Sequence, residues 1–245
     1  MGSIQEFPRK PAVATLADVW RSAALQSTGS VEVRPMRLED YAAVRALHRQ
    51  AEPWHEPPTL RQVERRRQAF AEGQLVAVCD GRVAGTFASL VVPWDPDARA
   101  TQGSLTGDGY FTTHDAEAGT LYAAQMLVET GKRNVAVARA LFQAGRRLCR
   151  RMNLRRVTTT TRLEGCGEGT TPERYAMRVV WGDVADAAMR LRMSLGFGYC
   201  GILHGFMPED TASGGHAALF AWLNPTYAPP RPPAFVQSVR PRKCA

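Results

Sequence analysis

Apolar residues along this chain follow two rhythms, one near every second position and one near every third or fourth. Val31–Pro35 and Gln74–Cys79 read as short strands. Asp80-Gly81 is a tight hairpin turn, and Val83–Val92 is the partner strand. Leu121-Tyr-Ala-Ala-Gln-Met-Leu-Val128 is a further apolar run. Arg155–Thr161 is β-branched enough for a parallel strand. Between these lie helical patterns. One is capped by Asp40 or its neighbours and carries Tyr41, Val44 and Leu47 on one face. A second runs from Thr59 to Ala71. A third runs from Asn134 to about Met152, with Val137, Leu141, Leu148 and Met152 on one side. Helices are also expected from Thr171 to Gly182 and from Met189 to Leu195. Tyr199–Phe206 and Ala217–Leu223 close the sheet.

This is an α/β (α+β) pattern around a mixed, twisted sheet of six to seven strands. It occupies residues 31–223. Residues 1–30 form an extension with a short amphipathic helix from Thr15 to Leu25. Residues 224–245 form a Pro-rich basic tail, expected either to lie extended along the surface or to be disordered. Residues 94–118 read as a long polar loop between two strands, of a length usually found in functional or mobile loops.

The junction at residues 121–141 carries the candidate chemistry. A strand runs into Glu129-Thr-Gly-Lys-Arg133, and this basic turn opens a helix. Amides at a helix start lack intrahelical partners, and the helix dipole favours an anion there. Lys132 and Arg133 add full charges. The junction reads as a pyrophosphate seat; such a turn is also found as a plain solvated helix start.

Composition narrows the setting. The 245 residues suffice for one sizeable core with extensions, and the formal net charge is +8. No apolar run reaches the length needed to span a bilayer, and the N-terminus lacks a secretory core, so a cytoplasmic protein is expected. The five cysteines are scattered. Cys79 and Cys149 read as core residues, and Cys166 in a Gly-rich loop is a weak nucleophile candidate. The five histidines form no metal box, and no metal is expected. Arg65–Arg67, Arg146-Arg147, Arg150-Arg151 and Arg155-Arg156 are solvated faces or attract a polyanion. No helix-turn-helix, zinc or stacking signature accompanies them, so nucleic acid is not the expected partner.

The turn and its flanks resemble the GNAT N-acetyltransferase superfamily, which carries Arg/Gln-x-x-Gly-x-Gly/Ala here to hold the coenzyme A pyrophosphate. Arg133-Asn134-Val135-Ala136-Val137-Ala138 matches at Arg133 and Ala138; Ala136 replaces the usual Gly. The opening "RPMRLEDYAAVRALH" and the element order fit the same superfamily. The stretch from Asn153 onward, with its extra helix near 171–182, is similar to the branch found fused to carbon–nitrogen hydrolases and to the GNAT-like decarboxylase domains that load polyketide synthases.

The resemblance implies a sheet splayed between its fourth and fifth strands. It implies acetyl-CoA or another acyl-CoA as co-substrate, held by backbone of Met126, Leu127 and Val128 and by the turn Lys132–Ala138. Acyl transfer then proceeds by direct attack in a ternary complex. Tyr122 stands where many relatives have a general-base Glu. Gln125 can bind or orient the acceptor. Arg192 stands where the general acid is often Tyr, and where decarboxylase relatives have His assisted by a strand Thr, here Thr161. Arg cannot serve as an acid but can stabilise an anion. Three functions follow. The first is acylation of a small-molecule amine. The second is thioester processing with an acyl carrier protein, by a decarboxylase or S-acyltransferase. The third is coenzyme A binding without turnover. The branch and the N-terminal helix also allow a homodimer.

Overall fold

The structure is a computed structural model that describes residues 30–95, 99–131, 134–167 and 169–229. The N-terminal helix expected at Thr15–Leu25, the basic pair Lys132 and Arg133, and the tail beyond residue 229 lie outside the described residues.

The elements, in chain order, are β1 (Glu32–Pro35), α1 (Tyr41–Ala51), α2 (Leu60–Phe70), β2 (Gln74–Cys79), β3 (Arg82–Val92), α3 (Gln102–Thr106), β4 (Thr120–Val128), α4 (Asn134–Arg151), β5 (Arg156–Arg162), α5 (Pro172–Trp181), α6 (Ala187–Ser194), β6 (Gly198–Leu203) and β7 (Ala217–Leu223). Seven strands form one sheet in the order β1-β2-β3-β4-β5-β7-β6. Every neighbouring pair is antiparallel except β4 and β5. That exception follows from α4, the crossover that returns the chain to run beside β4 in the same direction.

Local chemistry sets the helix ends. Thr59 and Gln62 form a reciprocal capping box at α2. Thr171 caps α5 ahead of Pro172, and left-handed Gly182 ends it. Asp40 behaves differently from the expected cap. Its carboxylate accepts two bonds from Arg34, at 2.7 and 2.8 Å, and one from the Arg37 amide at 2.8 Å. It thereby closes a 3₁₀ turn before α1 and makes no side-chain bond into α1 itself. Strand β6 stops at Leu203, short of the expected Phe206. Gly205 turns the chain there at φ 63°, and its amide is bound by His216 Nδ1 at 3.3 Å. The long 94–118 segment is not structureless, since it contains α3, capped by Thr101.

The main core lies between the sheet and α4. Val137, Leu141, Phe142 and Leu148 of the helix are buried against Phe87 and Leu121 of the sheet. Phe142 meets Phe87 edge-on at 5.9 Å and Phe197 at 4.8 Å. Two glycines set how closely α4 approaches. A Cβ on Gly85 of β3 would lie 2.5 Å from Val137 Cγ1, and one on Gly145 of α4 would lie 2.8 Å from Phe87 Cζ. The helix start is therefore pinned to the strand. The run Arg146–Arg151 is not wholly solvated: Arg146 stacks on Phe197 and Trp222, both at 4.9 Å, and donates to the Leu195 carbonyl.

Candidate active site

Strands β4 and β5 pair only over Thr120–Ala123 and Arg156–Thr159. Beyond that, β4 stays with β3 as far as Val128, and β5 stays with β7 as far as Arg162. The two parallel strands therefore part, and the cause is local. Ala88 pairs with Gln125 but Ser89 with Ala123, so Ala124 is an extra residue in β4. Such a bulge bends its strand and increases its twist, and here it lies where β4 leaves β5.

Splitting a sheet strips backbone groups of partners, and buried ones must be satisfied elsewhere. Gln102 Nε2 donates to the Ala124 carbonyl at 3.0 Å. On the facing strand, Arg192 donates to the Thr160 carbonyl at 2.9 Å and to Ala188, within its own helix, at 2.9 Å. Past the bulge, the Glu129 amide bonds back to Ala84 of β3. Ladder partners alternate along an antiparallel pair, so Leu127 and Gln125 also face β3. Met126 and Val128 then turn their backbone groups into the gap.

The gap opens into a cavity of about 640 Å³. Its walls come from the end of α1, from α2, from α3 with the loop after it, from the facing ends of β4, β5 and α6, and from Met207–Glu209. Gln125, Met126, Leu127, Val128, Thr161 and Arg192 all line it. Tyr122 does not: its side chain is fully buried, and its hydroxyl shares a hydrogen bond with Thr160 Oγ1 at 3.0 Å. Burial raises the phenol pKa further above its ordinary value, so it is held neutral. Asn134, Val135 and Ala136 start α4 partly exposed, while Val137 and Ala138 face the core.

The cavity is electrically mixed. Arg192 is buried, and burial pulls its pKa down to about 10. Burial likewise lowers Arg66 to about 10; it donates to the Gly109 carbonyl at 2.6 Å and stacks over Phe111 at 4.7 Å. Arg162 pairs with Asp210 at 2.9 Å and covers Trp54 at 4.4 Å. Opposite these cations stands Glu52, which accepts from Gln125 Nε2 at 2.8 Å. Burial raises the Glu52 pKa, against that hydrogen bond and the charges of His55, Arg192 and Arg162. His48, one helical turn before Glu52, is fully buried. Burial, with the charges of His55 and Arg66, lowers its pKa to about 4, so its ring is neutral at pH 7.

Sequence reasoning took Arg66 only as part of a basic run and did not single out Gln102, His48, Glu52 or His55. The last three were legible as a pattern, with His48 and Glu52 at i, i+4 and His55 three residues on. Among the described residues they form a group whose ligand atoms all lie within 4.8 Å of one another. Cys79 and Cys149 are buried, as expected, and burial also raises the Cys166 thiol. No helix among the described residues is long and apolar enough to cross a membrane.

A parallel pair parting at a bulge, with a crossover helix starting at the open end, defines the GNAT fold. The chain has that fold. It is similar in structure to GphF GNAT-like decarboxylase in complex with isobutyryl-CoA, with TM-score 0.62 and 20% identity, covering 79% of this chain and 99% of that one. In sequence it is 28% identical over 194 residues to the Probable hydrolase YhcX of Bacillus subtilis (strain 168), covering 78% of this chain. The matched part spans 37% of that relative's length. It is also 24% identical over 173 residues to the Uncharacterized N-acetyltransferase YkwB of the same organism, covering 65% of this chain and 72% of that one. No protein-family profile matches the sequence.

Proposed function

We propose that the protein is an acyltransferase that moves an acetyl or other acyl group from a coenzyme A thioester to the amine of a small molecule. The observation that carries this reading is the gap between β4 and β5, flanked by Met126 and Val128 backbone and opening into a cavity large enough for an acceptor. In this reading the pantetheine arm lies along β4 as a surrogate strand. The pyrophosphate sits at the first turn of α4, over Asn134–Ala138, and Lys132 and Arg133, which precede that turn in sequence, supply positive charge. The amine nitrogen attacks the thioester carbonyl, a backbone amide of β4 holds the oxyanion, and the C–S bond then breaks. The leaving thiolate takes a proton from solvent, and the amine gives one up. Gln125 orients the acceptor. Arg192 supplies a fixed positive charge at Thr160 that favours the anionic transition state, a role that needs no proton from it.

A second reading, decarboxylation or S-acyl transfer with a carrier protein, is favoured by the likeness in fold to the GphF decarboxylase. Arg192 in place of the resembling family's His counts against it. One experiment separates them. Thiol release from acetyl-CoA is measured with and without a panel of amines, and carbon dioxide release from malonyl-CoA in parallel. Amine-dependent release from acetyl-CoA supports the first reading, and carbon dioxide from malonyl-CoA supports the second. Coenzyme A binding with no turnover would leave a binding module. A Lys132→Ala/Arg133→Ala variant that binds coenzyme A as tightly as the parent would remove the phosphate seat from the turn.

A further inference from the structure

The wall of the cavity opposite Arg192 holds a donor set that acyl transfer does not use. His48 sits in the last turn of α1, Glu52 follows the helix end, and His55 lies in the turn after it, its amide bonded back to the Glu52 carbonyl at 3.1 Å. The His48 ring is fully buried, yet neither of its nitrogens makes a hydrogen bond. A buried imidazole with both nitrogens unpaired is costly. Its Nε2 lies 3.5 Å from Glu52 Oε2, and the rings of His48 and His55 lie 5.5 Å apart.

We propose that His48, Glu52 and His55 form a binding site for a divalent first-row transition cation such as zinc, with a fourth coordination position open to the cavity. Two imidazoles and one carboxylate with an open position are a known donor set for such ions. Zinc bonds of about 2.0–2.1 Å put tetrahedral donors about 3.3 Å apart. Donors within 4.8 Å of one another close to that with a shift of at most about 1.5 Å, which the exposed His55 side chain can supply. Because all three ligands come from eight consecutive residues, little chain has to be ordered to close the site. Gln125 bonds Glu52 from β4 and acts as the outer-shell group that fixes a ligating carboxylate. Nearby guanidinium charges oppose a cation, but each is engaged elsewhere: Arg162 with Asp210, Arg66 with Gly109 and Phe111, Arg192 with two backbone carbonyls. An ion held here would present its open position to the acceptor. That would select acceptors carrying a nitrogen, sulfur or carboxylate donor beside the reacting amine.

The test uses the full chain, stripped of metal, titrated with zinc by calorimetry and with cobalt(II) by visible absorption. One equivalent of zinc is expected, and the cobalt complex should show d–d bands without thiolate charge-transfer absorption. Loss of even an outer-shell partner costs about 10–100-fold in metal affinity. Gln125→Ala is therefore expected to weaken binding about tenfold, and His55→Ala and His48→Ala about a hundredfold or more. His55 is exposed, so His55→Ala reads the site even if His48→Ala fails to fold. A His204→Ala/His216→Ala variant, removing the other close pair of histidines, should bind as the parent does. No stoichiometric binding, unchanged affinity in His55→Ala, or a thiolate band from the cysteines would each overturn the proposal.

Discussion

Replacing Gly85 by Ala adds one methyl group at the point where α4 meets β3. That methyl would lie 2.5 Å from Val137 Cγ1 and 3.1 Å from the Leu127 carbonyl oxygen. Carbon atoms rest about 3.5–4.0 Å apart, so the helix start must retreat by about 1 Å. Overpacking of this kind costs about 1–3 kcal/mol, offset by about 0.4–1 kcal/mol from a stiffer unfolded chain. Urea unfolding should therefore show a net loss of about 1–2 kcal/mol. The same retreat carries the first-turn amides away from a bound phosphate. An N–H···O bond of about 2.9 Å stretched by about 1 Å is no longer a hydrogen bond. Losing even one bond to a charged group, worth about 1.5–3 kcal/mol, weakens coenzyme A at least about tenfold. Gly145→Ala is the matched control. Its methyl meets the end of the Phe87 ring, further along the same helix and away from the first turn, and Ala regains about 1 kcal/mol of helix propensity. It should leave coenzyme A affinity at the parent value in calorimetry. If Gly85→Ala loses stability but binds coenzyme A as the parent does, the first turn of α4 is not the phosphate seat. If it loses no stability, the close packing of helix on strand is refuted.

Asp40→Asn should cost about 1–2 kcal/mol at neutral pH, because an amide cannot accept the two Arg34 bonds as a carboxylate does. The Arg34 hydrogen bonds hold the Asp40 pKa below its ordinary value. Its contribution is therefore full above the unfolded-state pKa of about 3.9 and is lost as pH falls through the folded one. Urea midpoints of parent and variant should converge in acid; a constant gap would refute the pairing. Thr171→Ala removes the cap accepted from the Arg174 amide and should lower stability by about 1 kcal/mol, with Thr171→Ser restoring it. The Cys149 thiol, buried and pushed up to about 12, should resist maleimide in the native protein and label only in denaturant; rapid native labelling followed by peptide mapping would show that the core at α4 opens.

Much of the fold was legible because its signals are local. β2 and β7 have the expected bounds, and α4 and α5 lie within a residue of theirs, since periodicity, the Thr171–Pro172 start and Gly182 act over single turns. Asp40 shows the limit. A carboxylate before a helix reads as a cap, but Arg34, six residues back, competes for it and wins with two charged bonds. The basic turn and the resemblance it carries pointed to the strand–helix junction as one end of the proposed site. They did not reveal the bulge at Ala124 that parts β4 from β5, because a bulge is a mismatch between two strands and neither strand records it alone. Nor could the chain order tell that Tyr122 is buried on Thr160, outside the cavity, while Gln102 and Arg192 occupy the carbonyls that the split exposes. The sequence by itself determined the helices, the strands and a cationic strand–helix junction, which depend on neighbours along the chain. Only the tertiary structure decided which side chains face the gap, and that His48, Glu52 and His55 share a wall with Gln125. Those relations rest on distances between segments some seventy residues apart, which are set by how α1 and β4 meet across the cavity.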